Sequence, residues 1–157
     1  MNNPINIILD TDIGMDCDDA VALGVLIKAQ NDGRCAIRAI TAATAREGAI
    51  SCVRSILGYY GAPEPVLGKL ESTFLKCDYV NYYAKAASDK FGFPDDADDA
   101  VKVLRRSLAT SPAKITLITI GPLTNIADLL RSGEDEISPL SGAELMREKV
   151  DKVYAMA

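Results

Sequence analysis

The chain contains no histidine and no tryptophan among its 157 residues. Without histidine, acid–base or metal chemistry has to be built from carboxylates, thiols and main-chain oxygens. Its four cysteines, Cys17, Cys35, Cys52 and Cys77, are scattered with no C-x-x-C pair, which excludes a zinc knuckle and a thioredoxin-like motif. They read as reduced, buried thiols. No apolar run approaches membrane-spanning length, and Met1-Asn2-Asn3-Pro4 lacks the basic and apolar regions of a signal peptide. A cytoplasmic protein with no membrane partner is expected. Positive charge is also sparse: the formal net charge is -5 and no basic stripe exists to release counterions, which argues against a nucleic-acid partner. The expected partner is a small molecule.

What the chain does have is a concentration of acid. Ile7-Ile8-Leu9 is an apolar run, and Asp10, Asp12, Asp16, Asp18 and Asp19 follow it within ten positions before the apolar pattern resumes at Ala20. Like charges converging at ~4 Å repel by about 4 kcal/mol per pair at an intermediate dielectric, so the loop calls for a cation. Oxygen donors alone indicate a hard divalent ion, calcium or magnesium.

Along the chain, apolar runs alternate with helical periodicity. Ile5 to Leu9 reads as a central parallel strand, followed by a helix capped by Asp18 and running to about Gln30, with Val21, Val25 and Leu26 among its apolar residues. Cys35 to Ala43 reads as a second strand. Glu47 to Tyr60 reads as a helix with Ile50, Val53, Leu57 and Tyr60 on one face, and Val66-Leu67 as a brief third strand. The aromatics Tyr79, Tyr82, Tyr83, Phe91 and Phe93 read as packing a loop onto the body. Asp95-Asp96-Ala97-Asp98-Asp99 reads as capping for the helix Ala100 to Ala109. Ile115 to Ile120 is the fourth strand, Thr124 to Leu130 a helix, Ser141 to Val150 another, and Val153 begins a last strand. The expected fold is α/β, a doubly wound, mostly parallel sheet flanked by helices, in one domain spanning residues 1–157. In such a sheet ligands bind beyond the carboxyl ends of the strands, where strand order reverses. That places Asp10 and Asp12 beside the Ile120-Gly121 turn.

The acidic loop does not fit an EF-hand, because glycine falls at the fifth position counted from Asp10 and no glutamate closes the loop. Asp10-Thr11-Asp12 allows a magnesium phosphatase of the haloacid dehalogenase type, but no later G-D-x-x-x-D pair appears. The closest likeness is to another family. Leu9-Asp10-Thr11-Asp12-Ile13-Gly14 with Asp18-Asp19-Ala20 resembles the first signature of nucleoside hydrolases of the inosine-uridine-preferring type. Ile118-Thr119-Ile120-Gly121-Pro122-Leu123-Thr124-Asn125-Ile126-Ala127 resembles their second. The resemblance covers nearly the whole chain and the first half of a family member, so a truncated, N-terminal piece of a longer enzyme is expected.

The resemblance implies calcium-dependent hydrolysis of the N-glycosidic bond of ribonucleosides, as in purine and pyrimidine salvage. It implies that Asp12 ligates calcium and acts as base on the attacking water, that Asp19 is a second ligand, and that Ile120 gives its main-chain oxygen. Asp18 would bind a ribose hydroxyl and Asp10 would support the loop. The chain departs from the family in the insertion Met15-Asp16-Cys17, where Asp16 reads as a solvated extra acid. It departs again at Ala43-Thr44-Ala45-Arg46, where Arg46 stands for an expected asparagine and either touches substrate or offsets the acid. A non-catalytic metal- or ribose-binding module is the alternative of another class. A truncated sheet edge would favour a homo-oligomer.

Overall fold

The computed structural model describes residues 3–14, 16–71 and 82–156. Among them, six strands form one sheet, all pairs parallel, in the order β4-β3-β2-β1-β5-β6. The strands are β1 (Ile5–Thr11), β2 (Cys35–Ala42), β3 (Val66–Lys69), β4 (Asp98–Asp99), β5 (Ile115–Thr119) and β6 (Val150–Ala155). The helices are α1 (Asp18–Asn31), α2 (Ala49–Tyr59), α3 (Tyr82–Phe91), α4 (Ala100–Thr110), α5 (Thr124–Arg131) and α6 (Gly142–Lys149). Because β1 is covered on both faces, it is apolar on both: Ile8 and Leu9 are fully buried on opposite sides. Leu9 packs with Leu23, Ile27, Ile50 and Val53 under α1 and α2. Ile8 packs with Val103, Leu104, Ile126 and Leu129 under α4 and α5. The chain winds outward from β1 through β2, β3 and β4, then returns to place β5 on the other side of β1. This is the switch point at which a doubly wound sheet opens a crevice.

Several local expectations are corrected. Cys17, not Asp18, holds the N-cap position of α1, and it makes no side-chain capping bond. Val21 and Val25 are more than half exposed, and Leu23 and Ile27 supply the buried face instead. In α2, Ile50, Val53 and Leu57 are buried as expected, whereas Tyr60 stands beyond the helix end and is half exposed. Asp99 caps α4 by accepting from the Lys102 amide at 2.9 Å. Asp95 serves a different helix: its carboxylate accepts from the amides of Gly48, Ile50 and Ser51 at the start of α2 and from Lys69. Burial pushes the Asp95 carboxyl up, but Lys69 and those amides outweigh it and hold it below its ordinary value. Helix α3 and strand β4 were not expected from periodicity. Cys35 and Cys52 are buried, Cys17 is exposed, and Cys77 and Tyr79 lie outside the described residues. Edge strand β6 leaves Val153 and Tyr154 about half exposed. Among the described residues no helix is long and apolar enough to cross a membrane.

The α4 face is tied together by a buried cation. Arg105 is 1% exposed and grips Asp135 with two hydrogen bonds of 2.8 Å. It also donates to Ser132 Oγ and to the carbonyls of Ser138 and Leu140. The planar guanidinium thereby satisfies main-chain acceptors in the loop between α5 and α6 that otherwise have no strand or helix to pair with. Arg105→Ala is expected to destabilise the fold by about 3 kcal/mol, through unpaired carbonyls and an emptied site. Urea denaturation checks this, and Arg105→Lys is expected to recover little because one ammonium cannot serve five acceptors.

Candidate functional site

The site begins with a carboxylate inside the protein. Asp10 lies opposite Thr41 of β2 and Thr119 of β5 in the register of the sheet. Parallel partners project to the same face, so both hydroxyls flank the Asp10 side chain. Thr41 donates at 2.6 Å and Thr119 at 3.4 Å, and Asn125 of α5 donates from its amide at 2.8 Å. Asp10 is fully buried, and burial raises its pKa to about 6 against the pull of these three donors.

Beyond Asp10 the chain leaves the sheet and turns. The Thr11 hydroxyl donates to Asp19, tying the strand end to the first turn of α1. Gly14 adopts φ 126°, a conformation that favours glycine, and its amide donates to the Tyr83 hydroxyl at 2.7 Å. Tyr83 of α3 thus fastens the acidic loop, consistent with a packing role for that aromatic. Across the crevice, the Ile120 amide donates to the Asp10 carbonyl at 2.9 Å and brings the β5 turn against Asp12. A Cβ on Gly121 would lie 2.7 Å from Asp12 Oδ1, so only glycine permits this approach.

The result is a cleft of about 340 Å³ lined by Asp12, Asp16, Asp18, Asp19 and Ile120, with Met156 on its rim. One carboxylate oxygen from each of Asp16, Asp18 and Asp19 lies within 4.8 Å of the others. Asp12, Asp19 and Ile120, expected to share an ion, line one cleft, but the close trio of carboxylates among the described residues is Asp16, Asp18 and Asp19, without Asp12. Asp16, read from sequence as a solvated extra, is exposed but belongs to the same cluster. Asp10 lies beneath the cleft, and Arg46 is half-buried, its charge drawing the Asp12 carboxyl down. Asn125 belongs to the second motif, and its buried contact with Asp10 depends on tertiary placement that no local pattern signals. A larger apolar groove of about 920 Å³ runs between α1, α2 and α3, lined by Val21, Val25, Tyr59, Tyr60 and Phe91, and holds none of the five acids.

A family model described as inosine-uridine preferring nucleoside hydrolase matches residues 7–156. The chain belongs to that family. Solved structures agree on the fold. The type III effector XopQ, described in complex with adenosine diphosphate ribose, is similar at 20% identity and a TM-score of 0.75, over 98% of this chain and 44% of XopQ. The effector XOO4466 gives 20% identity and a TM-score of 0.72, over 98% of this chain and 43% of its own. The inosine-uridine preferring nucleoside hydrolase of Bacillus anthracis gives 21% and 0.71, over 97% of this chain and 50% of its own. The chain thus spans about half the length of these structures or less. A search of curated protein sequences gives no match.

In this nucleoside hydrolase family member the electrostatics of the cleft are dominated by its carboxylates. Burial first, then the charges of Asp12, Asp18 and Asp16, raise Asp19 to about 6 despite the Thr11 hydroxyl. Burial, with Asp18, also raises Asp12. A hydrogen bond between Asp16 and Asp18 raises the first and lowers the second. The donors are all hard oxygens, and the repulsion among them is what a divalent cation would relieve, so the residues present fit such an ion.

The pH dependence follows. Asp10 and Asp19 have folded-state values raised above their unfolded values, so the native state holds more protons between about pH 4 and 6. The cost of ionising them in the fold is absent at the acid end of that window and complete above it. In chelator, the protein is expected to be more stable at pH 5 than at pH 7.5, by on the order of 1–3 kcal/mol for the pair. Urea midpoints at the two pH values test this, and Asp10→Asn should flatten the dependence.

Proposed function

We propose that the protein is a calcium-dependent nucleoside hydrolase site, with Asp12 and Asp19 as ligands, Ile120 as a main-chain ligand and Asp16 available as a further one. The observation that carries the reading is the convergence of four aspartates and the Ile120 turn on one cleft at the β1/β5 switch point. Bound there, calcium would supply a Lewis acid that orients the ribose hydroxyls and a water molecule.

The protein groups account for the remaining chemistry. Asp12 is half-buried, with its basicity raised by burial and by Asp18, and takes the proton of the attacking water. Asp18, exposed and held low by Asp16, stays ionised and accepts a hydrogen bond from a ribose hydroxyl. The C1′–N bond breaks as the water oxygen adds to C1′, the bonding pair leaves with the base, and positive charge builds on the sugar ring. A carboxylate-lined cleft stabilises that charge. The same sign of charge disfavours a 5′-phosphate, with Arg46 as the cation that would moderate this exclusion.

Calorimetry on this chain is expected to detect calcium binding that Asp19→Ala weakens by an order of magnitude or more. In the full-length gene product, release of base and ribose from a nucleoside is expected, with Asp12→Ala lowering turnover by roughly 10²–10⁴. Unchanged turnover in that variant removes Asp12 from the role given. Calcium binding without hydrolysis by the full-length product supports a ribose- or metal-binding module in its place, and magnesium-dependent phosphate release supports a phosphatase.

A further inference from the structure

We propose that Asn125 is the positioning residue of the acidic cleft, acting through Asp10 to set the distance between its two arms. The proposal rests on the cation-binding reading above. Asn125 is fully buried near the start of α5 and does not line the cleft, so it touches neither cation nor substrate. Its amide nitrogen donates to Asp10 Oδ1 at 2.8 Å and to the Ala42 carbonyl at 3.2 Å. One side chain therefore holds α5 against the ends of both β1 and β2. Asp10 carries the link onward, receiving the hydroxyls of Thr41 and Thr119 on its carboxylate and the Ile120 amide on its carbonyl.

Both arms of the cleft hang from this knot. Asp12 lies two residues beyond Asp10, and the Ile120-Gly121 turn is held between the Asp10 carbonyl and the Asn125 anchor. The arms meet without slack, since a Cβ on Gly121 would fall 2.8 Å from the Asp12 amide nitrogen. Calcium–oxygen distances span only about 2.3–2.6 Å, so a shift of about 1 Å between the arms would take a ligand out of range. Among the described residues the Asn125 amide oxygen has no hydrogen-bond partner. Turning the amide would set that oxygen against the Asp10 carboxylate, which fixes its orientation. Two hydroxyls and an amide hold the Asp10 carboxylate, with no ion pair to it among the described residues.

The test compares calcium affinity by calorimetry and amide hydrogen exchange in the wild-type chain and in Asn125→Ala, Thr41→Val, Thr41→Ser and Ser141→Ala. Ser141 forms a capping box with Glu144 at the start of α6, so its variant calibrates the effect of lost stability alone. Asn125→Ala is expected to remain folded, to weaken calcium binding about tenfold, and to speed exchange in residues 10–14 and 118–124. Thr41→Val, which keeps shape but removes the donor, should weaken binding severalfold, whereas Thr41→Ser should stay near wild type. Calcium affinity in Asn125→Ala no weaker than in Ser141→Ala, with exchange in those segments unchanged, overturns the proposal. If Asn125→Ala does not fold, the Thr41 pair decides: equal affinities for Val and Ser overturn it. If the wild-type chain binds no calcium, the cation reading fails, and exchange in the metal-free proteins decides the positioning role by itself.

Discussion

A carboxylate held by neutral donors, sealed under the end of the central strand, is the constraint on which the rest of the molecule depends. Burying an ionisable group is costly unless donors surround it. Asp10 has three, and each comes from a different element: Thr41 from β2, Thr119 from β5 and Asn125 from α5. Satisfying that group therefore brings together the ends of three strands and the start of a helix. The crevice of the doubly wound sheet opens directly above this junction.

Above Asp10, four more acids, Asp12, Asp16, Asp18 and Asp19, line one cleft, where Asp12, Asp16 and Asp19 are shifted upward and Asp18 downward. Asp10 is met by neutral donors from three elements, whereas above it Thr11 donates to Asp19, Arg46 faces Asp12, and Asp16 and Asp18 meet each other. The inosine-uridine preferring nucleoside hydrolase family uses a fold suited to this division, because a parallel strand can bury one residue and present the next but one at its tip.

The two helical layers make the arrangement rigid in different ways. On the α1–α3 face an apolar core of leucine, isoleucine and valine packs under the acidic loop, and Tyr83 reaches from α3 to hold Gly14. On the opposite face Arg105 organises the polar segment between α5 and α6, steadying the helix that carries Asn125. Removing either support would leave the strands paired while loosening what stands at their ends.

Much of the fold and part of the site could be read from local pattern. The isoleucine run before Asp10, the acids before Ala20 and the β-branched Ile115–Thr119 segment are short-range signals, and the strand and helix order follows from them with shifts of up to three residues, apart from α3 and β4, which carry no clear periodicity. The family likeness drew Ile120 into the site although its side chain is apolar. What the tertiary structure decided are contacts between residues far apart in the chain. Asp95 sits just ahead of α4 in sequence yet caps α2, because the return of the chain past β3 brings it to the Gly48 amide and Lys69. Asp16 is exposed, as its sequence reading holds, and only the fold brings it within reach of Asp18 and Asp19. Asn125 resembles a turn residue until α5 docks on the sheet and buries it against Asp10. Periodicity encodes which face of an element is apolar. Which polar group meets which depends on the register and packing of separate elements, and those exist only once the chain has folded.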